Sequence, residues 1–274
     1  MVVSCREYAK LVKDELKEKV KKMDKKPVLT VIQVGDDPAS NSYIKGKEKD
    51  CDEVGITFNH LKYESSISEF ELLNVITNMR DFSDGIIVQL PLPDSINVDK
   101  IIEAIPKSKD VDGFRRDSDF DCCTPKGIID WLQYNNYDLV GANVVVLGRS
   151  KIVGKPLVNM LIDRGATVTC CNSHTSDGYE FEMTNKADLV ISAIGKPKFL
   201  SWSDFSVDCD IVVDVGMNRD ENGKLCGDVD RESVLSIYPE IYVTPVPGGV
   251  GLLTRVSLLK NVVESYERRN MPIN

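Results

Sequence analysis

The spacing of apolar positions changes period several times along the chain. Tyr8, Val12, Leu16 and Val20 recur every four residues with Lys and Glu between them, which predicts an amphipathic helix. Short apolar runs then alternate with helix-period stretches: a strand at 28–34, a helix from about 40 to 54, a strand at 56–63, a helix from about 69 to 80, and a strand at 85–89. After Pro125 the alternation resumes with a helix to about 134, strands at 143–147, 167–171, 189–193, 211–215 and 242–244, a helix at 156–164 and a closing helix at 252–268. Such alternation predicts an α/β chain of two lobes, each a parallel sheet with helices on its faces. No repeat, low-complexity tract or flexible linker interrupts it. The boundary is placed at the charge run RRDSDFD, within 115–125.

The segment Gly148-Arg149-Ser150-Lys151-Ile152-Val153-Gly154 joins the apolar run NVVVL to an amphipathic helix. A glycine-rich turn between strand and helix brings backbone N–H groups and the positive helix end onto one point, which suits a pyrophosphate. The turn is not a strict G-x-G-x-x-G, because Ser150 stands where the middle glycine would be and the last glycine comes one residue late. Its context still makes a dinucleotide the expected ligand. NAD sites usually carry an acid at the end of the second strand, whereas here that strand runs into Cys170-Cys171-Asn172-Ser173-His174-Thr175. Arg149 offers a planar fork for a 2′-phosphate, so NADP is expected over NAD; the plainer alternative is a solvated turn residue. Ile194 and Gly195, after the strand at 189–193, and the loop Pro245–Gly251 are expected to add cofactor walls, although glycines there also suit turns.

In the other half, Asp37 before Pro38 reads as a helix cap followed by proline in the first turn. Tyr43 and Lys47 lie four apart on the helix so begun, giving a flat stacking surface beside a proton carrier. A surface lysine covering a ring is the alternative. Gln89 ends the strand at 85–89, where open α/β sheets place their ligands. Asp110-Val111-Asp112-Gly113-Phe114 is a short acidic loop, or simply a turn.

Composition narrows the classes. At 274 residues there is room for two cores, and 42% hydrophobic with 28% charged residues is ordinary for a globular chain. A net charge of −9 argues against nucleic-acid binding, and no apolar stretch reaches the roughly 20 residues of a membrane span. The N-terminus has no apolar core of a secretory signal. Eight cysteines without a C-x-x-C pair fit a reducing cytoplasm, and only two histidines exclude histidine-based metal clusters, so no metal is expected.

Taken in order, VGDDPASNSYIKGK, GIIVQLPLP, KDVDGF, CTPKGI, VVVLGRSKIVGKP, GATVT, GKLCGDVD and TPVPGGVG resemble the bifunctional methylenetetrahydrofolate dehydrogenase/cyclohydrolase family over nearly the whole chain. The resemblance implies a catalytic folate-binding lobe over 1–120, completed by a C-terminal segment 252–274, and a Rossmann-like NAD(P)-binding lobe over 121–251, with folate between them. It implies that Lys47 is the catalytic lysine, with Tyr43 packing on the folate, Gln89 orienting the lysine and Asp112 bonding the pterin. Leu90, Pro91 and Gly249 join the substrate-binding set, and Gly148, Arg149, Ser150, Ser173, Ile194 and Gly195 the cofactor-binding set. A homodimer is implied by analogy.

The implied activity is oxidation of 5,10-methylenetetrahydrofolate with NADP, followed by hydrolysis of the methenyl product to 10-formyltetrahydrofolate. Four departures from the family pattern bear on it. Only Arg115 to Asp121 separate Phe114 from Cys122, where the family carries a longer H-P-x-N-x-G segment. Cys122 replaces a proline; Asn172 and His174 stand where His and a cation are usual; and Gly251-Leu252-Leu253-Thr254 replaces G-P-M-T. The alternatives are a dehydrogenase that has lost the hydrolytic step and, further off, a silent folate- or nucleotide-binding protein.

Overall fold

The computed structural model describes residues 2–270, so residue 1 and the last four residues of the expected 252–274 segment lie outside it. The first half runs α1 (Cys5–Val20), β1 (Val28–Val34), α2 (Pro38–Val54), β2 (Thr57–Tyr63), α3 (Glu69–Met79), β3 (Gly85–Val88), α4 (Val98–Ala104) and a 3-10 turn at Lys107–Lys109. There follow α5 (Cys123–Tyr134), β4 (Asn143–Leu147), α6 (Gly154–Ile162), β5 (Thr167–Cys171), α7 (Asp177–Asn185), β6 (Leu189–Ser192) and β7 (Ile211–Asp214). A short hairpin of β8 (Asn218–Arg219) and β9 (Leu225–Cys226), then α8 (Arg231–Ile237), β10 (Tyr242–Val243) and α9 (Val250–Asn270), complete the order. The chain divides into two compact units: Lys10–Cys123 with the chain from Arg255 onward, and the chain up to Ala9 with Thr124–Thr254.

The first unit holds a parallel sheet in the order β2-β1-β3. Central β1 is buried after its first residue, as a strand flanked on both sides must be. Ile32, Leu72, Ile76, Ile86 and Ile101 form the middle of its core, each contributing on the order of 1.5–3 kcal/mol by leaving water. Ser68 and Glu71 close a reciprocal cap on α3.

The second unit holds a parallel sheet in the order β10-β7-β6-β4-β5. Every residue of β6 and β7 is buried, and all of β4 after Asn143, while edge strand β5 leaves Thr167 and Cys170 exposed. From β4 the chain goes first to one neighbour, β5, and then to the other, β6. That reversal of direction opens a crevice at the carboxyl ends of β4, β5 and β6.

Four predicted strands end one residue early. Gln89, Ala193, Val215 and Thr244 each donate one last ladder bond to the neighbouring strand and then leave the sheet. Helices α4, α7 and α8 have no counterpart in the sequence reading. They bury only Ile101, Thr184 and Val234 respectively, too few apolar positions to set a period.

Candidate active site

Helix α2 starts where its sequence requires. Asp37 accepts the N–H of Ser40 at 2.7 Å, and Pro38 occupies the first turn, where its missing N–H loses nothing. One face of the helix then carries Tyr43 and Lys47, and the Lys47 Nζ lies 5.0 Å from the centre of the Tyr43 ring. Lys47 is 4% exposed, so its charge needs partners. It donates to Oε1 of Gln89 at 3.2 Å and faces Oδ2 of Asp112 at 3.9 Å.

Gln89 stands just beyond β3, its backbone N–H still bonded to Ile32 O. Its Nε2 donates to the carbonyl of Leu90 at 2.9 Å, and Ser40 Oγ donates to that same carbonyl at 3.3 Å. The start of α2 and the end of β3 are thus tied together. Leu90 is half-buried and Pro91 exposed, following Gln89 on the same edge. The structure therefore brings Tyr43, Lys47, Gln89 and Asp112 into one cluster: an ammonium, an amide, a carboxylate and a ring. Such a cluster can hold a flat polar ligand and move a proton at its edge.

In the second unit, Gly148 follows β4 with φ of 113°, a backbone shape that favours glycine. A Cβ on Gly154 would overlap the Gly148 carbonyl, so the turn closes on itself only with glycine at the head of α6. Ser150 Oγ accepts the N–H groups of Val153 at 3.2 Å and Gly154 at 3.3 Å, holding the turn against the first residue of α6. Arg149 and Ser150 are exposed after β4, Ser173 is exposed after neighbouring β5, and Ile194 and Gly195 follow β6 on the other side. These predicted cofactor residues occupy one end of one sheet. Asn172 is spent on its own turn, since its Oδ1 accepts the His174 N–H and its carbonyl that of Thr175. Gly249 is buried immediately before α9, where a Cβ would overlap the Pro245 carbonyl.

Residues 3–112 match the family described as "Tetrahydrofolate dehydrogenase/cyclohydrolase, catalytic domain", and residues 122–270 its "NAD(P)-binding domain". The chain belongs to the tetrahydrofolate dehydrogenase/cyclohydrolase family. "Bifunctional protein FolD" of Bacillus cereus is 44% identical over 282 residues, spanning 98% of this chain and 97% of that one. The crystal structure of the bifunctional enzyme FolD, methylenetetrahydrofolate dehydrogenase/cyclohydrolase, from Campylobacter jejuni superposes with a TM-score of 0.91 at 41% identity, covering 98% of this chain and 99% of that one. A Trypanosoma brucei methylenetetrahydrofolate dehydrogenase-cyclohydrolase, solved with NADP and an inhibitor, gives 0.90 at 27% identity with 99% of each chain covered.

In this member of the dehydrogenase/cyclohydrolase family, the short 115–121 segment is firmly anchored. The Arg115 guanidinium donates to the carbonyls of Glu103 and Ile105 at the end of α4, and pairs with Glu103 at 3.2 Å and Asp117 at 2.7 Å. Its backbone N–H donates to Oδ2 of Asp110 at 2.8 Å. Asp110 is buried, which pushes its carboxyl above the usual range. The segment thus folds back onto the strand-side loop that carries Asp112.

Two further features escaped the sequence reading. Cys123 is buried beside Asp112 and donates to Val111 O at 3.1 Å; burial, with Asp112 adding to it, holds its thiol well above the ordinary range, so it is a packing group rather than a nucleophile. Arg255, on α9, bonds Asp50 of α2 through Nε at 3.0 Å, and its guanidinium fills the space that a side chain at Gly46 would need. Lys13 reaches the same Asp50 at 3.4 Å. The i,i+3 offset from Lys47 to Asp50 is visible in the sequence, but the partners come from distant elements.

Proposed function

We propose that the chain oxidises 5,10-methylenetetrahydrofolate to 5,10-methenyltetrahydrofolate with NADP, and hydrolyses that product to 10-formyltetrahydrofolate. The observation that carries this reading is the buried Lys47, held by Gln89 and Asp112 beside the Tyr43 ring. The relatives named as bifunctional FolD support the pairing of the two reactions. The NADP-bound neighbour supports the choice of cofactor.

The second unit fits a dinucleotide. Its turn from Gly148 to Gly154 leaves no room for side chains at either glycine, and opens at the reversal point of the sheet. In this reading Arg149, exposed after β4, meets the 2′-phosphate, with Ser173 on the adjoining strand end. NADP, when bound, accepts the hydride. The protein's part in that step is alignment and exclusion of water, because the cation formed is shared by two nitrogens of the substrate.

Hydrolysis asks more of the residues. Water adds to the methenyl carbon and loses a proton, the bond from that carbon to N5 breaks, and N5 takes a proton. The carbon-bound hydroxyl loses its proton to become the formyl carbonyl, with one proton released overall. Lys47 Nζ moves the proton between water and N5, Gln89 aims it, Tyr43 stacks on the folate and Asp112 accepts from the pterin. Leu90 and Pro91 border the substrate in this reading, and Ile194 and Gly195 the nicotinamide half.

A homodimer working in the cytoplasm completes the proposal. All eight cysteines are free, as a reducing compartment keeps them, and no described helix is long and apolar enough to cross a membrane. The test is to incubate purified protein with 5,10-methylenetetrahydrofolate and either NADP or NAD, following reduced nicotinamide and methenyl absorbance together. NADP-dependent reduction, with methenyl consumed faster than it hydrolyses unaided, is expected. Turnover that leaves methenyl standing contradicts the hydrolytic half, and no turnover with either cofactor contradicts the oxidative half.

A further inference from the structure

The motif GKLCGDVD carries, third from its end, a carboxylate that the reaction scheme leaves unused. Asp228, between β9 and α8, is fully buried. Its Oδ2 accepts from Ser192 Oγ at 3.0 Å, from the Ile194 N–H at 2.9 Å and from the Gly195 N–H at 3.3 Å. Its Oδ1 accepts from the Lys196 N–H at 3.0 Å and from Asn218 Nδ2 at 2.8 Å. Each of these five partners of the carboxylate is a donor. Three of them are consecutive backbone N–H groups of the turn that follows β6.

A second buried carboxylate supports the first. Asp214, at the end of β7, accepts the N–H groups of Gly216 at 3.0 Å, Asp228 at 2.9 Å and Val229 at 2.9 Å. The two acids are accommodated by glycines: a Cβ on Gly216 would overlap the Asp228 carboxyl, and one on Gly227 the Asp214 carboxyl. Asp214 thereby fixes the backbone of Asp228, and Asp228 fixes residues 192–196. The N–H side of that turn is consumed inward, while Gly195 and Lys196 stay exposed on its outer side.

We infer that Asp228 is a positioning residue for hydride transfer: it holds the 192–196 turn in the one shape that receives the nicotinamide half of the cofactor. This rests on the reading above that Ile194 and Gly195 border NADP. Backbone bonds from Ala193 to Leu147 and from Lys198 to Gly227 hold the two flanks of the turn, but its three aligned N–H groups repel one another unless an acceptor gathers them, and Asp228 is that acceptor. The two reactions are chemically separable, because hydrolysis of methenyl needs no nucleotide.

That separation supplies the test. Asp228→Asn keeps the shape but turns an amide NH2 onto Lys196 N–H and Asn218, or onto Ser192, Ile194 and Gly195, so at least one donor loses its acceptor. The expected result is a KM for NADP raised about tenfold or more with a lowered dehydrogenase kcat, while hydrolysis of supplied methenyltetrahydrofolate stays within about twofold of wild type. Asn218→Ala removes one donor of the five from a half-buried position and is expected to raise the NADP KM about threefold with hydrolysis unchanged. If Asp228→Asn fails to fold, Asn218→Ala decides. Equal loss of both reactions in the folded variant, or an unchanged NADP KM in both, overturns the inference and makes the network merely structural. A wild-type enzyme that hydrolyses methenyl but reduces neither nucleotide overturns the functional reading and this inference with it, and that outcome is seen before any variant is made.

Discussion

Lys47 Nζ donates to Oε1 of Gln89 at 3.2 Å, and the other end of that amide is already committed to the Leu90 carbonyl. The amide cannot turn its NH2 towards the lysine without losing a bond, so its orientation is set by the backbone. Gln89→Leu keeps the bulk and removes the acceptor. A hydrogen bond to a charged group is worth about 1.5–3 kcal/mol, so the hydrolytic rate is expected to fall roughly 10- to 100-fold. Steady-state hydrolysis of methenyltetrahydrofolate, with folate affinity measured separately, distinguishes lost aim from lost binding.

Arg149 has the planar fork that a 2′-phosphate calls for, on the turn after β4. Arg149→Ala is expected to raise the KM for NADP about 10- to 100-fold while leaving that for NAD within about threefold. Comparing the two cofactors at saturating folate checks this. An equal effect on both would mean that Arg149 does not read the 2′-phosphate.

Gly154→Ala opposes two effects of known size. Alanine favours a helix by about 1 kcal/mol over glycine, but its methyl would overlap the Gly148 carbonyl, and overpacking of that kind costs about 1–3 kcal/mol. The clash should win, because its partner is backbone. Thermal unfolding is expected to show a lower midpoint, and NADP titration a weaker affinity.

Much of this was legible in the sequence because the signals are local. The Asp37–Pro38 cap, the Tyr43–Lys47 offset and the Gly148–Gly154 turn each lie within one short window, and apolar runs such as Val144–Leu147 mark central strands by composition alone. What stayed hidden is long-range or weakly patterned. Asp228 meets the 192–196 turn across more than thirty residues, and Asp50 meets Arg255 across some two hundred. Nothing in either window distinguishes these acids from solvated ones. Helix α7 buries only Thr184, so no period announced it.

Asp214 predicts a pH signature for the second unit. Burial, with Asp228 nearby, raises its carboxyl from 3.8 to about 6, against the opposing pull of three backbone N–H groups. The folded state then holds this proton more tightly than the unfolded chain does. Its contribution to stability is full below the unfolded value of 3.8, declines as pH rises, and is lost above about 6. The loss amounts to roughly 3 kcal/mol. Denaturant unfolding between pH 4 and 7 should show this falling component in the wild type and not in Asp214→Asn.

One buried lysine carries the hydrolytic step, while hydride transfer depends mainly on alignment. Lys47→Met retains the apolar stem and removes the proton carrier, so both reactions can be assayed on one preparation. Hydrolysis of methenyltetrahydrofolate is expected to fall about 10²- to 10⁴-fold, with the dehydrogenase rate falling by about tenfold or less. Hydrolysis at the wild-type rate in a folded Lys47→Met protein would exclude Lys47 as the proton carrier.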